Sequence, residues 1–323
     1  MRKLTITAAA ALYALAAVSA FGAWVYEGQW GSEGSGDGQF NGAFGLATGR
    51  GDTVYVVDYG NFRVQYFTSA GSFLGKWGSP GEGNGQFVYP VDAAVARAGT
   101  VYVADTWNHR VQYFTATGSY LGKWGSEGSG NGQFVAPAGI AVASNGNVYV
   151  ADTWNHRVQY FTATGSYLGK WGSYGSGNGQ FDGPFNVAVA PNGNIYVTDH
   201  ENNRVQYFTS SGSYLGKWGS KGTGDGQFNL PWGVALAPDG NAYVTDGWNH
   251  RIQYFTPTGS FLGKWGSYGK GNGQFYLPRG IAFNAAGGRV YVCDAGNARI
   301  QYFRRSDPRV EPTSLGRVKA LFR

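Results

Sequence analysis

Cysteine and methionine each occur once in 323 residues, and the first scarcity excludes a good deal. A lone Cys293 forms no intrachain disulfide and no cysteine-rich metal site. Its place at a strand end, where the equivalent positions hold Val57, Ala104, Ala151, Thr198 and Thr245, marks it as a small core residue. Charge is also thin, at 14% of the chain. Past residue 23 no apolar run between turn signals is long enough for a helix. What abounds is glycine, 54 residues, and aromatic side chains, 16%. That mixture describes a turn-rich chain with large groups to bury, not a disordered one.

The formal charge of +6 suggests nucleic acid only until it is located. Arg2 and Lys3 carry two of the positive charges, and residues 304–323 carry six basic against two acidic side chains. Residues 24–303 hold 17 of each sign. A neutral body offers no phosphate-neutralising stripe, so a nucleic-acid partner is not expected. The N-terminus reads as an export signal. Arg2 and Lys3 precede the apolar run Leu4 to Ala23, with small residues at Val18-Ser19-Ala20 where a signal peptidase would cut. The competing reading is an uncleaved signal anchor, the chain's only expected membrane contact. Both place the body outside the cytoplasm, secreted or at the cell surface.

One period governs that body. The Arg of a D-x-x-N-x-R element falls at 63, 110, 157, 204, 251 and 299, spaced by 47 residues four times and by 48 once. Residues 101–134 and 148–181 differ only in Glu127 against Tyr174. Within one copy, four short runs separated by turn chemistry cover Gly139 to Val142, Asn147 to Asp152, Arg157 to Thr162 and Ser166 to Gly172. Four strands repeated at this length predict an all-β, six-bladed β-propeller. The last copy stops after Arg299 to Phe303, one strand short. The missing one stands at the start, where Trp24 to Gly31 repeats the spacing of Tyr167 to Gly172. The N-terminal strand is therefore expected to close the ring as the outer strand of blade six, removing the exposed edge of an unclosed ring.

Asn108-His109-Arg110, Asn155-His156-Arg157 and Asn249-His250-Arg251, the Val-Tyr-Val-Ala-Asp strands before them and the Gly-Gln-Phe-x-x-Pro-x-Gly approach to each inner strand together resemble the NHL-repeat family of six-bladed propellers. The resemblance covers residues 24–303, with a signal segment at 1–23 and a basic tail at 304–323. Three copies lack the His, carrying Phe62, Asn203 and Ala298 instead. The resemblance implies a binding platform for proteins and sometimes RNA.

Six copies of D-x-x-N-x-R argue for a turn that each blade needs, since a reactive centre is needed once. Its three histidines lie one per blade and do not converge on one ion. The G-x-G-x-G-Q-F stretches lack the helix and Lys of a phosphate loop; they read as crossovers between blades, with Phe40, Phe87, Phe134, Phe181, Phe228 and Phe275 as plugs. No catalytic residue, metal site or cofactor is assigned.

Unique chemistry must lie where the copies diverge. The residue after the Pro (Ala43 in blade one) reads Phe44, Val91, Ala138, Phe185, Trp232 and Arg279; the next reads Gly45, Asp92, Gly139, Asn186, Gly233 and Gly280. The third position of D-x-x-N-x-R reads Gly60, Trp107, Trp154, Glu201, Trp248 and Gly296. A ligand or partner face is accordingly expected from Trp107, Trp154, Trp232, Trp248, Phe44, Phe185, Asp92, Asn186, Glu201 and Arg279, ringing one channel mouth. The alternative is that each Trp seals its own blade. The leading functional expectation is an extracytoplasmic binding or scaffold protein engaging a protein or other extracellular ligand. The alternatives are a propeller enzyme of the lyase or lactonase-like type, drawing on Asp92, Asn186, His200, Glu201 and Arg279 by analogy of fold alone, and a self-assembling surface protein attached through its tail.

Overall fold

A computed structural model describes residues 23–306; the export segment and most of the basic tail lie outside them. Six four-stranded antiparallel sheets form a ring. Blade three shows the pattern: inner strand Pro137–Val142, then Val148–Asp152, Arg157–Phe161 and outer strand Tyr167–Trp171. The second strand is buried along its whole length, and the third at every residue but Tyr160. Neighbouring blades cover both faces, which explains the near-continuous Val, Tyr and Phe of these segments. Only the outer strand alternates, exposing Leu168 and Lys170 on the rim. Lys on an open edge opposes pairing with another chain.

The ring closes as expected. Trp24–Trp30 pairs antiparallel with Arg299–Arg305, as the outer strand of the blade built on Pro278–Phe283 and Arg289–Asp294. The third strand of this blade extends to Arg305, two residues beyond the sequence-based limit. The closing strand carries two side chains that the other outer strands lack. Glu27 occupies the Leu168 position and meets Arg289 at 2.7 Å, and Gln29 occupies the Lys170 position and accepts from Arg299 Nη1 at 2.8 Å.

Each D-x-x-N-x-R element ties its blade to the crossover feeding it. Asp152 Oδ2 accepts from Arg157 Nε at 2.7 Å and Gln159 Nε2 at 3.0 Å, and Oδ1 from the Val135 N–H at 2.8 Å. Asn155 Nδ2 donates to both oxygens. The remaining guanidinium donors of Arg157 bond the carbonyls of Ser129, Gly130 and Gln133 in the crossover loop. This is a structural use of the element, and the buried Gln of R-V-Q-Y-F is a member that the sequence pattern did not single out.

The histidines act as staples between blades. Nδ1 of His109, His156 and His250 accepts the backbone N–H of Ala136, Gly183 and Leu277, each at the residue before the next blade's Pro. Asn203 Oδ1 accepts from Leu230 N in the same way, so Asn replaces His without loss of the bond. Phe62 has no acceptor and packs on Tyr89 instead, with centroids 4.9 Å apart. The phenylalanine plugs are fully buried.

Closure by the N-terminal strand predicts a large effect of a single change there. Trp30 packs against Phe67, Tyr291 and Tyr302, so Trp30→Ala should cost roughly 3 to 5 kcal/mol. Deleting residues 24–30 should lower the melting temperature further by baring the edge of the last strand. Unchanged thermal unfolding of both variants would contradict closure at this blade.

Candidate functional site

The inner strands line a central channel and approach one another closely at one level. A Cβ added to Gly45 would lie 2.6 Å from the Cα of Asp92, and one on Gly139 would lie 2.5 Å from that of Asn186; additions at Gly233 and Gly280 would meet the next blade's carbonyls at 2.4 Å. Four of the six residues at this level are therefore Gly, and the other two fill the axis. Asn186 Nδ2 donates to Asp92 Oδ2 at 2.8 Å from two blades away. The Ile140 N–H donates to the same oxygen at 3.2 Å, and Asn186 Oδ1 accepts from Val234 N at 3.0 Å. This polar knot joins blades two, three, four and five across the channel. Asp92 is buried and desolvation lifts its pKa to about 7, against the opposing pull of its hydrogen bonds.

Above the knot lies the mouth that carries the D-x-x-N-x-R turns. Most inner strands shift register here, for example between Pro137 and Ile140, and such a bulge re-aims the residues within it. Phe44, Phe185, Trp232 and Arg279 ring the axis, while Trp107 and Trp154 stand on adjacent turns with their indoles edge to face at 5.4 Å. Together they line a cleft of about 310 Å³. Val91, Ala136 and Ala138 add small apolar lining, and the second turn position contributes Tyr59, Thr106 and Thr153. These three were missed from sequence although the second turn position does diverge, as Tyr59, Thr106, Thr153, His200, Gly247 and Ala295.

Arg279 is the only charged residue of the cleft lining. Its guanidinium lies 3.5 Å from the Phe44 ring centroid and 4.1 Å from that of Trp232. Phe44 stacks in turn on Tyr59 at 4.3 Å. Burial lowers the Arg279 pKa to about 10, leaving it charged at neutral pH. Trp232 is wedged by Phe185 at 4.4 Å and His200 at 4.6 Å. It occupies space that a side chain at position 247 would need, since a Cβ there would lie 2.3 Å from its ring. Gly247 stands where blades two and three have Thr for this reason.

The ten residues expected at the face thus separate. Phe44, Trp107, Trp154, Phe185, Trp232 and Arg279 share the cleft. Asp92 and Asn186 do not reach it; they turn inward into the knot because the flanking glycines leave room there. Trp248 and Glu201 are exposed at their turns but lie outside the cleft lining. The exposed indoles of Trp107, Trp154 and Trp248 do not seal their blades, whereas Trp232 is packed. His200 is buried with Nδ1 3.0 Å from the Pro231 carbonyl, taking over the bond that Thr153 Oγ1 makes to Pro184. Among the described residues no group of three or more His, Cys, Asp or Glu is placed to hold a metal ion.

Five stretches match the NHL repeat: residues 87–114, 134–161, 181–208, 228–255 and 275–303. The chain belongs to the NHL-repeat propellers. Its first blade falls outside the matched stretches, where Ala43 replaces the Pro and Phe62 the His, yet it folds as the others do. No curated protein matches the sequence. Solved structures with the same fold include a streptogramin B lyase, 15% identical over 88% of this chain and 98% of that one with a TM-score of 0.62. A gluconolactonase from Xanthomonas campestris is 16% identical over 84% and 88%, with a TM-score of 0.63. An auxiliary nutrient binding protein from Bacteroides thetaiotaomicron is 14% identical over 83% and 70%, with a TM-score of 0.62. At such identities the likeness establishes the propeller fold alone.

The knot generates a pH prediction for this NHL propeller. The folded-state pKa of Asp92 lies above its ordinary value of 3.8, so the fold holds a proton that the unfolded chain releases. The stability that Asp92 contributes should therefore fall as pH rises from about 4 to about 7 and level off above that. Asp92→Asn keeps an acceptor for Ile140 and Asn186 and should remove this slope, making the variant more stable than the parent by a few kcal/mol at alkaline pH. Urea denaturation across this range checks it, and parallel pH profiles would refute it.

Proposed function

We propose that this NHL propeller is an extracytoplasmic binding protein whose working surface is the aromatic cleft at the channel mouth. One observation carries the reading: Trp107 and Trp154 are about half exposed, 44% and 56%, at a turn position where other blades fold with Gly60, Glu201 and Gly296. The blade does not require an indole there. Two large apolar groups held in water beside a cleft of ligand size suit a surface that is covered in use. The rigidity of the ring supports the same reading, because a preformed site loses little conformational freedom when it is filled. The occurrence of the same fold in an auxiliary nutrient binding protein supports the reading.

The reading separates two kinds of tryptophan. Trp154→Ala should change folding stability by less than about 1 kcal/mol yet weaken ligands of the cleft by about 2 kcal/mol, or some thirtyfold. Trp171→Ala, which removes a ring packed on Tyr149, Tyr160 and Phe208, should instead cost roughly 3 to 5 kcal/mol of stability. Ligand-detected NMR with a collection of small aromatic compounds, run on the parent and on Trp154→Ala beside denaturant titrations, measures both. A collection whose every binder is indifferent to Trp154 would sink the reading.

The extracytoplasmic address rests on Arg2, Lys3 and the apolar run to Ala23. N-terminal sequencing of the native protein should find a start within a few residues of Phe21 or Trp24. Intact Met1 in a membrane fraction would favour the anchor, and intact Met1 in soluble cytoplasm would overturn export.

A further inference from the structure

Arg279 differs from every other arginine of the propeller core. Those ending the D-x-x-N-x-R elements each hold an Asp within 2.8 Å. The Arg279 side chain has no ion pair and no hydrogen bond among the described residues, and its Nε is buried without a partner. Asp92 lines the same small cavity of about 20 Å³ beneath the mouth, but it is bonded to Asn186 and Ile140. Phe44 and Trp232, whose rings stand nearly perpendicular at 84°, both flank the guanidinium. What these contacts leave unsatisfied is the rim of N–H groups, and Arg279 lines both this cavity and the 310 Å³ cleft above it.

Such a cation is held by attraction to the two rings rather than by a counter-ion. Its Nε–H is enclosed, whereas the four Nη–H groups, in the same plane, remain available in a setting partly shielded from water. There a charge-assisted, two-pronged bond to a carboxylate is stronger than at an exposed surface. No acidic side chain lines the cleft to compete. Trp107, Trp154 and Phe185 offer flat apolar walls next to the charge.

We propose that the cleft takes a small organic carboxylate with a flat apolar body, its carboxylate paired with the free edge of Arg279 and its body set against Trp154 and Phe185. The assignment rests on the cleft being the binding surface and adds the chemical class of its occupant. Phenylacetate is the probe, and its neutral counterpart phenylacetamide the comparison, each titrated calorimetrically into the full chain. Phenylacetate should bind saturably, at least about tenfold more tightly than phenylacetamide, which corresponds to about 1.4 kcal/mol. Arg279→Met should abolish that preference while leaving the melting temperature equal or higher, since it removes an uncompensated buried cation. Arg279→Lys, which keeps the charge but not the planar fork, should retain a reduced preference. Equal binding of the two probes to the parent would overturn the carboxylate assignment while preserving the cleft as a site. Phenylacetate binding unaltered in Arg279→Met would overturn the role of Arg279, and failure of both probes to bind would count against the inference and against the cleft together.

Discussion

A buried carboxylate is the constraint on which the ring depends. Asp152 and its five equivalents are wholly inaccessible to solvent, and a charge so placed is tolerable only if its lone pairs are all engaged. Each draws donors from three directions: an Asn three residues on, an Arg five residues on in the next strand, and a backbone N–H at the far end of the crossover loop. The Arg then spends its other donors on that loop's carbonyls. Turn, hairpin and crossover are thereby locked as one unit, and no member can vary without stranding the others. This explains why Asp, Asn, Arg and Gln recur in all six copies while His does not. The His bonds a single N–H between blades, and Asn203 can do the same.

Where that clamp ends, the sequence is free to vary, and the variation collects at the axis. Four glycines let the inner strands come together, and the two exceptions, Asp92 and Asn186, fill the space so created. Their knot divides the channel into two separate vestibules. On the far side the lining is mostly small and apolar, with Ala94, Ala141, Ala188 and Ala235 recurring around it. On the near side stand the aromatic rings and Arg279. The two ends of one channel thus differ in chemistry although every blade is built from the same repeat.

The fold could be read almost completely from the chain because its cause is periodic. The 47-residue spacing, the turn residues and the orphan strand at Trp24 to Trp30 each report on a local need repeated six times. The mouth was legible only as a set of divergent positions. Sequence placed Asp92 and Trp107 on one face, since both stand where the copies diverge, but their fates depend on neighbours in space: Asp92 sinks because Gly45 beside it is small, whereas Trp107 stands clear because Trp154 supports it. Tyr59 was overlooked for the same reason, as its partner Phe44 lies across a hairpin. The packed state of Trp232 is written in sequence only through Gly247, a signal that becomes readable once the indole is seen above it.

The near identity of blades two and three has a consequence for how the chain assembles. A strand in residues 148–181 can present to its neighbours the same hydrogen bonds and the same rings as its counterpart in 101–134, so pairings offset by a whole blade are almost degenerate in energy while the ring is open. Local chemistry cannot tell right from wrong there. Discrimination falls to the one blade made from both ends of the chain, where Glu27 finds Arg289 and Gln29 finds Arg299 only if all intervening blades are counted correctly. The closing strand is in that sense a proofreading device: its contacts check the number of repeats.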